Sequence, residues 1–262
     1  MKVYNVLSLG AGVQSSALAM LSVEGIIPRY DAVVFADTGW ESQQTYDSLD
    51  WLKEKLESVG TDVYYTKFQD VRKFADQQFK GRKPSIPLYT KHKETGKKGM
   101  LRRGCTVELK IWPVEKVVRE KIIGVKPRKW VKDAFVNLSL GISTDEMQRV
   151  NKSRHKWCKH IFPLIELKWD RQKCEEWLIS NYDFEPGRSA CLGCPYHSNE
   201  FFRNLSKEEF EQVVEFDEKI RNLSSDNYEW FVSRERIPIK DLDLNKDNGP
   251  SFLEECSGLC GN

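Results

Sequence analysis

The stretch that decides the fold is VYNVLSLGAGVQSSALAML, residues 3–21. The apolar run 3–7 predicts a buried strand, and apolar side chains at helical spacing over 16–24 predict a helix. Between them lies a loop of small and hydroxyl residues that contains Gly10 and Gly12. This order places backbone N–H groups and a helix N-terminus against an anion, so it predicts a nucleotide phosphate loop. The residues predicted to bind the phosphates are Ser8, Gly10, Gly12, Ser15 and Ser16.

Two common phosphate loops do not fit this stretch. It has no Gly-Lys-Ser/Thr ending, which excludes a Walker A loop. The Gly-x-Gly-x-x-Gly dinucleotide motif fails because Ser15 stands where the third glycine belongs. A glycine–serine turn also joins strands to helices in α/β proteins that bind no phosphate, so other segments must decide between the two interpretations.

Length and composition indicate one large domain or a domain with an appendage. The chain has 262 residues, and a net charge of +2 excludes a polycation. We expect a nucleotide-binding α/β domain over 1–185 and a cysteine-rich helical region over 186–262. No apolar run approaches the ~18 residues of a membrane span, and no export signal is evident. An odd count of seven cysteines fits a reducing compartment, so we expect a cytoplasmic protein without a membrane partner.

Strands and helices alternate along the first part of the chain. Strands are predicted over 32–36, 63–68 and 134–141, and amphipathic helices over 44–59 and 71–79. The alternation predicts an α/β fold with a doubly wound, mostly parallel sheet. Ligands of such sheets bind at the carboxyl ends of the strands. Both the glycine loop and the turn Asp37-Thr38-Gly39-Trp40-Glu41 fall at such ends.

A strongly basic segment interrupts this pattern. Residues 80–104 contain nine Lys or Arg and a single acid, Glu94, with little periodicity. The length predicts a mobile substrate loop or a disordered segment. The charge is consistent with a solvated surface loop, or with a contact to nucleic acid, since clustered Lys and Arg bind phosphates. A second basic patch over 126–132, with Trp130 inside it, would extend the same surface.

Four separated segments together resemble the phosphoadenylyl-sulfate (PAPS) reductase family. They are the loop 8–16, Asp37-Thr38-Gly39-x-Glu41, Cys105-Thr106-x-x-Leu109-Lys110-x-x-Pro113 and Gly141-x-x-x-Asp145-Glu146-x-x-Arg149. This family belongs to the PP-loop ATP pyrophosphatase, or adenine nucleotide α-hydrolase-like, superfamily. The chain looks most similar to its phage and bacterial branch, over residues 3 to 200. It departs from the usual loop because Gln14 stands where an aspartate is common, which bears on Mg²⁺ binding.

The resemblance implies a site for ATP or PAPS, with Mg²⁺ as a further expected ligand. The phosphate or sulfate oxygens would lie on the glycine–serine loop. Asp37, Thr38 and Gly39 would lie on the nucleoside side, while Lys110 and Arg149 would act catalytically by supplying positive charge to the phosphates. Ordinary surface charge is the alternative for these two cations.

The cysteines predict a metal site. Cys191 and Cys194 form a Cys-x-x-Cys pair that can hold one metal or one edge of a cluster, although such a pair can also be redox-active. Cys105 and Cys260 would complete a four-thiolate set, for which a [4Fe–4S] cluster is expected first and zinc second. In the family, reductases carry an adjacent cysteine pair where this chain has only Cys105. Cys158 and Cys174 are predicted to be buried apolar residues.

The tail offers a candidate nucleophile. Glu255-Cys256-Ser257-Gly258-Leu259 resembles the Glu-Cys-Gly-Leu/Ile-His end of sulfonucleotide reductases, with an inserted serine and with Cys260 in place of the histidine. Cys256 is therefore a predicted catalytic thiol. Alternatively, both tail cysteines are cluster ligands or form a disulfide.

Three functions remain open. The first is ATP pyrophosphatase and sulfur-transfer chemistry on a nucleic acid or small acceptor, served by a sulfur or electron donor protein. The second is PAPS or APS reduction with Cys256 as nucleophile. The third is a non-catalytic protein that binds nucleotide or nucleic acid, because fold alone does not establish an activity.

Overall fold

The computed structural model describes residues 1–78, 86–223 and 227–246. Five strands form its main sheet, in the order β3-β2-β1-β6-β7, and every neighbouring pair is parallel. This confirms the predicted α/β fold with a parallel sheet. The strands of the main sheet are β1 (Lys2–Leu9), β2 (Ala32–Asp37), β3 (Asp62–Lys67), β6 (Ala134–Leu140) and β7 (Cys158–Ile161).

Helices connect the strands and continue into the last part of the chain. The first three are α1 (Val13–Val23), α2 (Gln43–Ser58) and α3 (Val71–Gln78). Next comes α4 (Trp112–Val117), which continues the π-helical turn Val107–Ile111 and leads into a second one, Val118–Ile122. The remaining helices are α5 (Pro163–Glu166), α6 (Arg171–Tyr182), α7 (Asn199–Arg203) and α8 (Lys207–Leu223).

Both faces of the main sheet are buried. Leu7 and Val33 point to one face, where they pack with residues of α1, α2 and α6. Their neighbours Val6 and Val34 point to the other face, where they pack with Val114 of α4. Successive strand residues alternate between faces, so the continuous apolar runs of β1 and β2 are what a doubly covered sheet requires. Cys174 and Cys158 are buried in these two cores, as predicted.

The order of the strands places a crevice beside β1. The chain passes from β1 to β2 and β3 on one side, and β6 then pairs with the other side of β1. This reversal is the point at which open parallel sheets bind ligands, outside the carboxyl ends of the strands. The glycine loop follows β1 at this point, and Gly141 follows β6 directly.

The basic segment is more regular than its sequence indicates. The described part contains β4 (Tyr89–His92) and β5 (Lys98–Met100), which form an antiparallel hairpin, and β4 also pairs with β8 (Tyr228–Phe231). The expectation of an irregular or mobile loop is therefore wrong for this part, while residues 80–85 lie outside the described residues. The local sequence could not indicate this strand because its partner β8 is remote in the chain. Arg236 fastens the hairpin by donating to the carbonyls of Thr90 and Gly99, both at 3.1 Å.

Residues beyond 186 contribute to a third core. Leu192, Val213 and Phe216 pack there with Trp40 and with residues of α3. The region is mainly helical but includes β8 and a short 3₁₀ turn, Ile239–Asp241. The predicted boundary at 185–186 stays a prediction. Within the described ranges, no helix is long and apolar enough to cross a membrane.

Candidate phosphate site at the carboxyl edge of the sheet

The glycine loop turns sharply between β1 and α1. Ala11 is buried and has a φ of +55°, in the left-handed region that side chains other than glycine adopt at a cost of about 1–2 kcal/mol. The Ser15 hydroxyl holds the turn, because it accepts from the Gly10 N–H and donates to the Gly12 carbonyl, both at 3.2 Å. Gly12 is the N-cap of α1 and provides no side-chain cap. The N–H groups of the first helical turn are thus available to an anion.

Two neighbouring segments approach the loop closely. A Cβ on Gly141 would lie 2.8 Å from the Ser15 nitrogen, so only glycine permits β6 to end this near to α1. A Cβ on Gly12 would lie 3.0 Å from Cβ of Ser189. The loop is therefore enclosed by the end of β6 on one side and by the segment around Ser189 on the other.

These segments leave a small cavity in front of the loop. It measures about 20 Å³, which is enough for one water molecule or one small oxygen-bearing group. Its wall includes hydroxyl, amide and backbone N–H groups, which suit phosphate oxygens. Its lining residues are Ser8, Gly10, Gly12, Gln14, Ser15, Gly141 and Ser189. Ser16, also predicted to bind phosphate, is fully buried beside this wall, and its hydroxyl has no hydrogen-bond partner in the described part of the chain.

Gln14 connects the cavity to two arginines. Its amide nitrogen lies 3.2 Å from Oε2 of Glu146, and its amide oxygen accepts from Arg171 at 3.4 Å. Glu146 is in turn ion-paired with Arg149, whose side chain is largely buried. An aspartate at position 14 would bring a second negative charge towards Glu146, so the amide is the group that suits this network. The departure from the family motif at Gln14 thus has a local physical reason.

The three residues predicted on the nucleoside side form a buried turn at the end of β2. Asp37 accepts from the Gly39 N–H at 2.7 Å and from the Tyr46 hydroxyl at 2.9 Å on one oxygen. Its other oxygen accepts from the Tyr65 hydroxyl and lies 3.4 Å from Nζ of Lys67. Burial and the nearby carboxylate raise the pKa of both phenols, which keeps them protonated as donors. The contact of this turn with a nucleoside stays a prediction.

Lys110 lies in a buried cluster with Glu41, Thr38 and Cys191, which we call the Glu41 cluster. Nζ of Lys110 is 3.3 Å from Oε1 of Glu41, and both side chains are at most 8% exposed. The Thr38 hydroxyl donates to the same carboxylate oxygen at 2.8 Å. The other oxygen of Glu41 is buried and has no hydrogen-bond partner among the described residues. Lys110 is therefore a buried, ion-paired residue, and the alternative that it is an ordinary surface charge does not hold.

Cys191 completes this cluster as a protonated thiol. Its Sγ donates to the Thr38 hydroxyl at 3.1 Å. Burial raises the pKa of Cys191 well above its usual value, and Glu41 adds to the increase while Lys110 opposes it. His197 positions the backbone here, because its Nε2 donates to the Cys191 carbonyl at 2.8 Å. The ring of His197 also stacks on Phe201 with centroids 3.4 Å apart.

The predicted metal ligands are only partly within the described structure. Cys105 and Cys191 both pack against the third core, and Cys194 lies in the turn after Cys191. In the described part of the chain, no three His, Cys, Asp or Glu side chains are arranged to hold a metal. Cys256 and Cys260 lie outside the described residues. The predicted cluster or zinc site, and the predicted nucleophile, thus stay predictions that need these two thiols.

Sequence reasoning missed several residues of this site. Ser189 had no local signal, because only the fold brings its segment onto the glycine loop. Arg171 had a weak local signal. It is the first residue of α6, and the helix dipole disfavours a cation at that end. Glu41 belonged to a recognised motif, but its role as the buried partner of Lys110 depends on the packing of β2 against the first π-helical turn.

Burial of His197 predicts a pH-dependent stability. Desolvation lowers the pKa of His197 to about 3, against about 6.5 in an unfolded chain. As the pH falls, the unfolded state therefore binds a proton before the folded state does. We expect the contribution of the neutral, buried His197 to the free energy of unfolding to be complete above pH 6.5 and to be lost as the pH falls towards 3. Its slope is up to about 1.4 kcal/mol per pH unit in the free energy of unfolding. Urea denaturation between pH 7 and pH 4 measures it.

A variant pair separates titration from packing at this histidine. His197→Gln should flatten the pH profile over this range, whereas Phe201→Leu, which removes the stacking ring but no titrating group, should lower stability without changing the slope. An unchanged slope in His197→Gln would show that other groups carry the acid sensitivity.

Comparisons with known proteins find likenesses among solved structures. No family model matches this chain, and no curated protein matches it. It is similar to a crystal structure described as PAPS reductase from Candida auris in a phosphate complex, with 16% sequence identity and a TM-score of 0.40. The similarity covers 69% of this chain and 73% of that chain.

Proposed function

We propose that the protein binds an adenine nucleotide, with an oxygen of a phosphate or sulfate group in the cavity of the glycine loop. The observation that carries this proposal is the enclosure of that cavity by backbone and hydroxyl groups at the topological switch point of the sheet. A helix N-terminus points at it, and Gln14 links it to Arg149 and Arg171 through Glu146 and its own amide oxygen. The remainder of the nucleotide would extend along the crevice towards the turn at Asp37.

The reaction that we propose is chemistry at the α-phosphate. ATP would adenylate an acceptor oxygen, release pyrophosphate, and leave AMP to be displaced by sulfur from a donor protein. Arg149 would balance the charge that develops on the phosphates. The ion pair of Lys110 and Glu41 would set the electrostatic potential at the end of the neighbouring strand, β2. The basic hairpin favours a nucleic-acid acceptor. Reduction of PAPS or APS is the second candidate, and its support is the tail sequence around Cys256.

Removing one hydroxyl tests the binding site. We expect Ser15→Ala to raise the Kd for ATP about tenfold, because it removes the two hydrogen bonds that hold the turn and its backbone N–H groups in place, each worth about 0.5–1.5 kcal/mol. Isothermal titration calorimetry with ATP, AMP, pyrophosphate and PAPS measures this effect and the ligand preference. Ser58→Ala is the matched control, since its hydroxyl only donates to the Lys55 carbonyl on an exposed helix end. Equal affinities in the two variants would contradict the proposed site.

Turnover separates the candidate reactions. Formation of AMP and pyrophosphate from ATP in the presence of Mg²⁺ supports the first, and sulfite release from PAPS that is lost in Cys256→Ser supports the second. Binding without either product would indicate a non-catalytic nucleotide-binding protein. Analysis of iron, sulfide and zinc in anaerobically purified protein, with Cys105, Cys191, Cys194 and Cys260 substituted singly, tests the proposed [4Fe–4S] or zinc ligands.

A further inference from the structure

A second, larger concavity lies on the face of the protein formed by α4, and we call it the α4 groove. Its volume is about 550 Å³, and it shares no lining residue with the cavity of the glycine loop. The helix and the π-helical turn that follows it contribute Trp112, Glu115, Lys116, Arg119 and Glu120, which recur at helical spacing and so form one stripe. The loops 128–131 and 154–157 form the opposite wall. We infer that the α4 groove binds single-stranded nucleic acid.

Exposed aromatic rings are the first observation that carries this inference. Trp130 is 88% exposed and Trp112 is 48% exposed, although both are large apolar side chains. On the opposite wall, the rings of His155 and Trp157 lie nearly parallel, with an interplanar angle of 18° and centroids 4.9 Å apart. Unpaired bases stack on such flat rings whatever their sequence. The fold gains no burial from the ring of Trp130, so its position is explained by a ligand rather than by packing.

Positive charge is the second observation. Five Lys or Arg and two Glu line the groove. Both acids are already paired, Glu115 with Arg154 and Glu120 with Arg119. Lys116, Arg128 and Lys129 make no ion pair in the described part of the chain. The groove therefore has unneutralised positive charge next to its stacking rings, which is the combination that binds the backbone and the bases of a single strand.

The backbone at Arg128 indicates the same role. The turn 126–129 is closed by a hydrogen bond of 3.1 Å from the Lys129 N–H to the Lys126 carbonyl, with Pro127 at its second position. Arg128 at the third position has a φ of +64°, where turns of this kind favour glycine or asparagine. The conformation at position 128 favours glycine or asparagine, so an arginine there lowers the stability of the fold. This makes Arg128→Gly a useful variant, because it removes the cation while suiting the backbone.

Single-stranded nucleic acid fits these features better than an acidic protein or a free nucleotide does. An acidic peptide would use the cations but would leave the exposed indole rings without a partner. A mononucleotide has a single base, so it would leave most of the exposed rings of the groove without a stacking partner. The inference does not depend on the proposed nucleotide site, because it rests on different residues.

Binding of labelled oligonucleotides tests the inference. Fluorescence anisotropy with a fluorescein-labelled 15-mer of deoxythymidine, and with the corresponding uridine 15-mer, gives the Kd and compares DNA with RNA. We expect Trp130→Ala to raise the Kd roughly 5- to 100-fold, in line with the loss of one stacked base. Arg128→Gly should weaken binding and reduce the slope of log Kd against log salt by about 0.7, as expected for one phosphate contact. Its melting temperature should stay equal to or above that of the parent protein.

Four controls make the outcome decisive. Phe68→Ala removes another exposed aromatic ring outside the groove and should leave the Kd unchanged. The double variant Lys97→Glu/Lys98→Glu reverses charge on the basic hairpin, and loss of binding there with full binding in Trp130→Ala would overturn the inference. The inference is also overturned if duplex DNA or an acidic polypeptide, poly-glutamate, binds as tightly as the single strands. Titration of ATP into each variant, which should be unaffected, keeps failure of this inference distinct from failure of the proposed nucleotide site.

Discussion

Replacing Lys110 with methionine is expected to destabilise the protein by about 3–5 kcal/mol, the usual cost of removing one partner from a buried ion pair. The variant retains the apolar stem of the lysine but leaves the Glu41 carboxylate, which is 4% exposed, without its cation. One oxygen of that carboxylate already has no hydrogen-bond partner among the described residues, so little remains to compensate the charge. Urea denaturation at pH 7 measures the free energy of unfolding.

A double variant distinguishes this effect from lost packing. Lys110→Met with Glu41→Gln removes both charges and retains an acceptor for the Thr38 hydroxyl, and we expect it to be more stable than Lys110→Met alone. The exposed pair of Lys240 and Glu218 is the matched control, and Lys240→Met should change stability little because both groups face solvent. Additive effects of the two substitutions in the cluster would show that Lys110 and Glu41 do not act as a pair.

Replacing Gly141 with alanine is expected to disable the cavity of the glycine loop. The new Cβ would lie 2.8 Å from the Ser15 nitrogen and 3.1 Å from its Cα, and both are backbone atoms of α1 that cannot rotate away. Either α1 or the end of β6 must shift, at a cost of about 1–3 kcal/mol for overpacking. The Kd for ATP should rise by roughly 100-fold, the scale of effect that a misplacement of about 1 Å has at a preorganised site. Calorimetry and thermal denaturation measure the two effects.

The control for this variant is Gly124→Ala. A Cβ there would meet nothing within 4 Å, but its φ of +80° imposes the cost of a left-handed residue. It should therefore lower stability without changing the affinity for ATP. If Gly141→Ala binds ATP as tightly as the parent protein, the end of β6 does not shape the phosphate site.

The sequence specified four of the five strands of the main sheet, because their signals are local, whereas β7 was not predicted. The apolar runs of β1 and β2, and the helical spacing that follows each of them, predict elements whose observed bounds are Lys2–Leu9, Ala32–Asp37 and Gln43–Ser58. These runs are long enough to bury both faces of a strand, which only a parallel sheet with two helical layers satisfies. The hairpin of β4 and β5 was not predictable in this way, because its apolar content is low and its third strand, β8, comes from the end of the chain.

The same distinction between local signals and remote contacts applies to the candidate site. The local order of strand, loop and helix indicated the glycine loop, since Gly10, Gly12 and Ser15 serve a turn within a few residues of each of them. The partners of that loop are remote: Gly141 follows another strand, and Ser189 belongs to a segment that returns to the loop after α6. Spacing in the sequence carries no information about such contacts.

By itself, therefore, the sequence determined the class of fold, the place of the glycine loop and the candidate cations. Only the tertiary structure decided how those cations are used: Lys110 is buried against Glu41, and Arg149 reaches the loop through Glu146 and Gln14. It also brought Trp112, Trp130 and Trp157 to one groove. The physical reason is that hydrophobic periodicity acts between neighbours in the chain, whereas charge pairing and aromatic exposure are fixed by which surfaces meet when the layers pack.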